Sequence, residues 1–483
     1  MKKFLLKIIG IMSVFVMFLT TVVPADVMYL PDVTEEMMDP DFWTKNRNAD
    51  KVLAGSDEIQ EINQSILNAQ DCNMTDLANA SRYIYEKDLY RSLWAGALAD
   101  SSSMIQTPHY DYDNRLITGQ TLLDIMQNIG GEHARYMNTV QYGICVQRAD
   151  ITVLPTDMIA SDEKGNPDFN DLQISHLRVN EPVLIKAATE DGRYFYCTSA
   201  AVSGWVLSEN IAVCKDREEW FEAWDIPEDE LLVVTGGKVY LEASNNNPSS
   251  SLVMLPMGTV LRRVSDEDFS AEVTGRSRYQ NYAVWLPVRE EDGSYSRTIA
   301  LISQNREVSE GYLPLTLNNI LKVAFRKLGD IYGWGGMLDS VDCSGYIRDI
   351  YQCFGLVLPR NTTWQAAMPV YKYDVSEASD EEKEKVLHMM RPGAILVFKG
   401  HEMLYLGHVN GHYYVISSLS GIKDFESDSL LNVGGIVINT LDTLRMNGNS
   451  WLTSIHTILV PYIPAPESGP VVISAESEAS ARP

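Results

Sequence analysis

Basic residues are scarce in this chain. Its 483 residues hold 39 Lys and Arg against 65 Asp and Glu, a formal net charge of -26, and the sequence pI is about 4.7. So acidic a surface repels phosphate backbones, so no nucleic-acid partner is expected. Anionic membrane surfaces are disfavoured for the same reason. Cysteine is also sparse. The six residues Cys72, Cys145, Cys197, Cys214, Cys343 and Cys353 are irregularly spaced, with no CxxC pair. A zinc site is therefore not expected, and nothing calls for another metal or cofactor. Cys197 and Cys214 could pair within one small barrel. Free buried thiols are the alternative, because a chain of this length needs no covalent staples.

Long apolar runs are missing everywhere except at the start. Lys2 and Lys3 precede an apolar stretch from about Ile8 to Phe18, and Val23-Pro24-Ala25 offers a cleavage position before Asp26. This pattern predicts a secretory signal over 1–25. An uncleaved anchor is the other reading, but the run is short of the ~20 residues a span needs, and Lys7 interrupts its start. No cysteine lies near the cleavage point, which argues against a lipoprotein. The expected location is secreted or cell envelope.

Hydrophobic residues make up 45% of the chain, enough for packed cores, and its length suggests about three domains. Residues 26–140 read as mainly helical. Ile59, Ile62, Ile66 and Leu67 recur at helical spacing, as do Leu122, Leu123, Ile125, Met126 and Ile129. From 141 the texture changes to short strands separated by turns. Gln141 to Val146, Pro182 to Ile185, Tyr194 to Cys197 and Gly204 to Val206 predict a first small β-barrel over 141–222. Leu231 to Val234, Gly258 to Leu261 and Tyr282 to Leu286 predict a second over 223–310. Residues 311–465 put helices first (316–328, then Asp342 to about Phe354) and strands after them, an α+β arrangement. The serine- and glutamate-rich residues 466–483 cannot bury a core and are expected to be disordered.

Asp342-Cys343-Ser344-Gly345-Tyr346 concentrates the chemistry. It follows the turn Tyr332-Gly333-Trp334-Gly335-Gly336 and precedes Leu358-Pro359-Arg360. Asp342 suits an N-cap, Cys343, Ile347, Ile350 and Phe354 share one helix face, and Gly355 ends the helix. A thiol in the first turn meets the positive end of the helix dipole, which favours the thiolate. The Cys343 amide can also serve an oxyanion. Cys353, in mid-helix, reads as a structural thiol.

A thiol nucleophile needs a base, usually histidine. Of eight histidines, His401 is best placed, just after Gly400 at the start of an alternating segment. On that alternation His401, Met403 and Tyr405 share one face, with Glu402, Leu404 and Leu406 on the other. His408 and His412 flank Asn410-Gly411, a hairpin turn signal, and read as solvated. His109, His133, His176, His388 and His456 have no comparable setting.

Taken in order, Tyr332-x-Trp334-Gly335-Gly336, Asp342-Cys343-Ser344-Gly345, Gly355-x-x-Leu358-Pro359-Arg360 and Gln365 resemble the NlpC-type cell-wall cysteine peptidases. Pro392-Gly393 and Phe398-x-Gly400-His401-x-Met403-x-Tyr405-Leu406-Gly407 are similar to the segment that carries that family's base. The resemblance covers most of 311–465. Upstream, Arg148-Ala149-Asp150, Leu154-Pro155-Thr156, Glu181-Pro182-Val183 and Gly204-Trp205-Val206 resemble a subgroup with an N-terminal helical region and two bacterial Src-homology-like barrels. The implied fold class is α+β, a papain-like catalytic domain behind two small all-β barrels and a mainly helical N-terminal region.

The resemblance implies Cys343 as nucleophile and His401 as general base. Tyr332, Asp342 and Ser344 would line the substrate cleft, Tyr332 and Asp342 holding a free L-alanine amine, with Arg360 and Thr362 near the same wall. Two positions depart from the family. Its third catalytic residue is polar and often histidine, whereas here Ser417 fills the slot and brings neither charge nor ring. His412 or Asn410 could replace it only in another hairpin register. Ala394 stands where the family often has aspartate.

The expectation is a secreted, monomeric peptidase that takes peptidoglycan-derived peptides. It would cleave the bond between γ-D-glutamate and a diamino acid, without metal or cofactor. By the same subgroup resemblance, the barrels would narrow the cleft in favour of small peptides. A wall-binding protein with a weakened or inactive site is the alternative. An amidase or acyltransferase using the same thiol and a protein-directed protease are further readings.

Overall fold

A seven-stranded sheet organises the C-terminal part of the chain, in the order 430–440, 412–423, 401–409, 395–398, 457–464, 370–374 and 471–472. The computed structural model describes residues 28–473 except positions 46, 47, 167, 168, 270–272, 274, 467 and 468. The expected signal segment 1–25 lies outside the described residues. All strand neighbours in this sheet are antiparallel except the last pair, where Val471–Val472 runs parallel to Tyr373 and Asp374. Part of the tail expected to lack structure therefore pairs, because the sheet edge offers its backbone a ladder that composition does not reveal.

The helix that begins at Cys343 runs Cys343–Gln352. The Asp342 carboxylate accepts a hydrogen bond from the Gly345 amide at 2.8 Å, the N-cap bond the sequence predicts. Tyr346, Ile347 and Ile350 pack on a sheet face made by Leu404, Leu406, Ile416 and Ile436. Two strands of the sheet, His401–Val409 and His412–Lys423, are joined by Asn410 and Gly411 at φ 51° and 91°. Positive φ at both central residues is what a two-residue type I′ hairpin requires. The turn fixes Val409 opposite His412, and the alternation of the whole hairpin follows from that register.

Two barrels precede this domain. The first is a seven-stranded sheet in the order 173–177, 149–152, 203–207, 194–198, 182–188, 141–145 and 211–214. The second has a five-stranded sheet in the order 295–303, 281–289, 260–263, 231–234 and 308–310. All six cysteines are free, and Cys197 and Cys214 lie buried without bonding each other. With helices, barrels and a mixed helix–sheet domain in one chain, the class is α+β.

The N-terminal region does not pack as one unit. Val33, Met37, Trp43, Ile59, Ile62 and Ile66 join the core of the C-terminal domain, and Trp43 meets the Tyr414 ring at 5.3 Å. Leu93, Ala97, Met104, Leu122 and Met126 pack instead on Leu154, Leu172 and Trp205 of the first barrel. Leu123, expected on the buried face, is 42% exposed; the apolar stripe of its helix is centred on Leu122 and Met126.

The barrels are tied to the helix that begins at Cys343 by buried charge. Asp349 on that helix accepts from Arg178 of the first barrel at 2.5 Å and from Lys327 at 3.4 Å. Arg178 Nε also donates to the carbonyl of Met257 in the second barrel at 3.0 Å. Burial alone would raise the Asp349 carboxyl, but Arg178, Lys327 and Arg348 hold it below the usual carboxylate range.

Candidate active site

One cavity of about 800 Å³ brings together seven of the eight residues singled out in the sequence. Tyr332, Asp342, Cys343, Ser344, Arg360, Thr362 and His401 line it. Ser417 stands behind His401 with its Oγ 3.2 Å from Nε2. The hairpin register places it there: Ser417 shares its sheet face with Val415 and Leu419, the face of Met403 and Tyr405. His412 is at the turn and bonds Asp442 at 2.5 Å, so the hairpin as folded leaves it unable to replace Ser417.

His401 is clamped between rings. Phe398 and Trp451 lie 5.3 Å and 5.0 Å from its centroid. Burial, with the nearby Arg445 guanidinium, lowers the imidazole to about 3, so the ring is neutral. With Ser417 on Nε2, Nδ1 is left for the thiol. A serine Oγ that accepts from Nε2–H fixes the tautomer in which Nδ1 is a free base.

The thiol corrects one expectation. The dipole at the helix start favours a thiolate, but Cys343 is pushed up to about 12. Burial is the largest cause, followed by the carboxyl groups of Asp342 and Glu402; a backbone hydrogen bond from Glu402 and the Thr362 hydroxyl oppose them. Desolvation and like charge outweigh the helix end. Cys343 Sγ lies 3.8 Å from Thr362 Oγ1, and among the described residues no hydrogen bond joins it to His401. The resting pair is thus a neutral thiol and a neutral imidazole, able to react only as the proton moves during attack. Such contacts commonly tighten when substrate binds.

Asp342 and Arg360 turn out to serve each other. Arg360 Nη2 meets Asp342 Oδ2 at 2.7 Å, and Nη1 reaches Oδ1 at 3.1 Å. Arg360 also donates to the Ser344 hydroxyl at 3.0 Å and to Ser175 Oγ of the first barrel at 2.8 Å. The Gly335 amide donates to Asp342 Oδ2 at 3.0 Å. Burial would raise the Asp342 carboxyl, but Arg360 and the amides of Gly345 and Gly335 keep it below its usual range. Arg360 is 5% exposed, so it is an internal strut and not a surface ion pair.

Sequence reasoning expected the barrels to narrow the cleft but named none of the residues that do so. Phe169, Asp171, Gln173, Ile174 and Val202 line the cavity. The Phe169 ring lies 5.7 Å from Tyr332 and 5.4 Å from Trp334. Gly335 makes this approach possible. At φ 60° it lies so close that a Cβ would sit 2.6 Å from the Gln173 carbonyl oxygen, a position only glycine fits without strain. No described residue of 223–310 lines the cavity. The second barrel packs on the far side, where Arg326 Nη1 donates to the Thr235 carbonyl at 3.0 Å. Among the described residues only the first barrel therefore narrows the cleft, where both were expected to. Lys399, Arg445 and Trp451 also line the His401 side; Lys399 was marked in the sequence only by its nearness to His401, Trp451 only as a lone aromatic, and Arg445 by nothing. No group of side chains suited to a metal ion occurs among the described residues.

Residues 329–432 match the NlpC/P60 family, and residues 160–207 match the SH3 domain of SH3b1 type. Over 104 residues, 21% of this chain, the sequence is 30% identical to dipeptidyl-peptidase 6 of Lysinibacillus sphaericus. That match spans 33% of the relative, about a third of its length. An NlpC/P60 endopeptidase from Photobacterium damselae subsp. piscicida shares the fold with a TM-score of 0.70 at 17% identity, over 89% of this chain and 98% of that one. The segment that carries Cys343, His401 and Ser417 is accordingly an NlpC/P60 family domain, with an SH3b domain ahead of it in the chain.

Proposed function

We propose that this protein is a cysteine peptidase of the cell envelope or exterior that hydrolyses peptidoglycan stem peptides. The bond cleaved joins γ-D-glutamate to the following diamino acid, in peptides with a free N-terminal L-alanine. Cys343 Sγ attacks the carbonyl carbon while His401 Nδ1 takes the thiol proton. The tetrahedral oxyanion finds the Cys343 amide, which at the first helical position has no intrahelical acceptor. His401 then gives its proton to the departing amine, and water, deprotonated by the same ring, releases the acyl group. The observation that carries this reading is the single cavity that holds Cys343 at a helix start and His401 backed by Ser417. The wall from Phe169 to Ile174 supports a preference for small peptides over intact wall, and the dipeptidyl-peptidase name of the relative fits release of a dipeptide.

Purified protein incubated with L-alanyl-γ-D-glutamyl-diaminopimelate should yield L-alanyl-D-glutamate by mass, and Cys343→Ala should yield none. A second reading, a wall-binding protein with a weakened site, is favoured by Ser417 in place of a ring and by the protonated thiol. Binding of the tripeptide without turnover in wild type would establish that reading and refute the peptidase. Products joined to an added amine acceptor would instead mark an acyltransferase.

A further inference from the structure

Beneath the nucleophile lies a carboxyl group that the peptidase steps do not use. Glu402 follows His401, and strand alternation sends the two to opposite faces. His401 lies against Phe398 and Trp451. Glu402 points with Leu404 and Leu406 toward the helix that starts at Cys343. It is 0% exposed, and neither Oε1 nor Oε2 has a hydrogen-bond partner among the described residues. Its backbone hydrogen-bonds the Cys343 thiol.

The charged and titratable groups around it are few. The helix start contributes Asp342 and Cys343, and the loop after the helix contributes Arg360. On the neighbouring strand the same face carries Ile416 and Ser418, whose hydroxyl is donated to the Val341 carbonyl at 2.7 Å. Arg360 is the one cation of this group, and its nitrogens already bond Asp342, Ser344 and Ser175. A charged Glu402 would give two buried carboxylates to one guanidinium, which is costly. Burial, then Asp342, raises the Glu402 carboxyl to about 8, with Arg360 opposing.

We propose that Glu402 is a positioning residue, held as a neutral acid under Cys343, and that loss of its proton to solvent turns the thiol into a poorer nucleophile. A carboxylate there adds a like charge to the forming thiolate, whereas the neutral acid does not. The site then works below the Glu402 transition and is turned down above it. The inference rests on Cys343 being the nucleophile of the proposed reaction. Its test needs no peptide substrate, so failure to cleave the tripeptide leaves it standing.

The test is alkylation of Cys343 by iodoacetamide, followed by intact mass between about pH 6 and pH 10. The other five cysteines are buried, and Cys343→Ser gives the background. In Glu402→Gln the rate at about pH 9 should exceed wild type roughly tenfold, one pKa unit of thiolate, while the two agree within about twofold at pH 6. Parallel profiles would overturn the proposal, as would a wild-type rate that climbs through pH 8 without a break. Should Glu402→Gln not fold, infrared spectra of wild type decide. A protonated-carboxyl band present at about pH 6 and lost by about pH 10 is expected, and its absence at pH 6 refutes the proposal.

Discussion

His401 Nε2 and Ser417 Oγ lie 3.2 Å apart, with Ser417 behind the ring that lines the cavity. Ser417 is fully buried, so water does not compete for the bond. The hydroxyl can orient the ring, but it cannot answer the positive charge that the ring would acquire on taking the thiol proton in the proposed reaction. This pair separates holding a base in place from stabilising its charged form.

Removing that hydroxyl should therefore cost orientation alone. Ser417→Ala is expected to lower kcat about fivefold with KM nearly unchanged, since a neutral hydrogen bond contributes about 1 kcal/mol net. Steady-state kinetics on the tripeptide check this. A loss of a thousandfold or more would mean that Ser417 does more than orient.

The acid limb of the pH profile should lie unusually low. His401, lowered to about 3 by burial and Arg445, remains a free base where an ordinary histidine, near ~6.5, would be protonated. The profile of kcat/KM, which reports the free enzyme, should be flat from about pH 7 to about pH 5. Arg445→Gln removes a cation that disfavours imidazolium, so the limb should move to higher pH. An inflection near 6.5 in wild type would contradict the assignment.

Much of the site was legible because it is encoded locally. Asp342 caps the helix that presents Cys343, and Asn410-Gly411 fixes the register that sets Ser417 behind His401. The opposite placement of His401 and Glu402 also follows from alternation alone. What stayed hidden depends on distant residues. Phe169 and Gln173 reach the cleft only because the first barrel docks on Gly335, a contact between segments 162 residues apart. The thiol's state was misread for a related reason. The helix end is a local feature, whereas the burial that outweighs it most comes from the sheet packed over the helix start. The split of the N-terminal region was equally hidden, since helical periodicity gives a buried face without saying what covers it.

The Asp342–Arg360 pair should carry stability as well as shape. Arg360→Met leaves a buried carboxylate without its partner, at a cost of about 3–5 kcal/mol in urea unfolding at neutral pH. The pH dependence should change sign. In wild type Asp342 is held below its unfolded value of ~3.9, so its contribution is present above about pH 4 and is lost as pH falls through the folded value. In Arg360→Met, burial without the guanidinium raises the same carboxyl, and the variant should regain stability as pH falls. Parallel pH–stability curves for the two proteins would show that the pair does not set the charge state of Asp342.

Phe169 should decide which substrates enter. Its ring stands 5.4–5.7 Å from Trp334 and Tyr332 and belongs to the wall that the first barrel adds to the cavity. Phe169→Ala opens that wall without touching Cys343 or His401. A small peptide then loses an aromatic contact worth about 1 kcal/mol, so KM for the tripeptide should rise about fivefold while kcat holds. Larger muropeptides gain room, so their turnover relative to the tripeptide should increase. Competition between tripeptide and disaccharide-linked peptide, followed by mass, measures that ratio directly. If it does not move, the barrel is a spacer and the selection lies elsewhere in the cavity, on the side of Lys399 and Arg445.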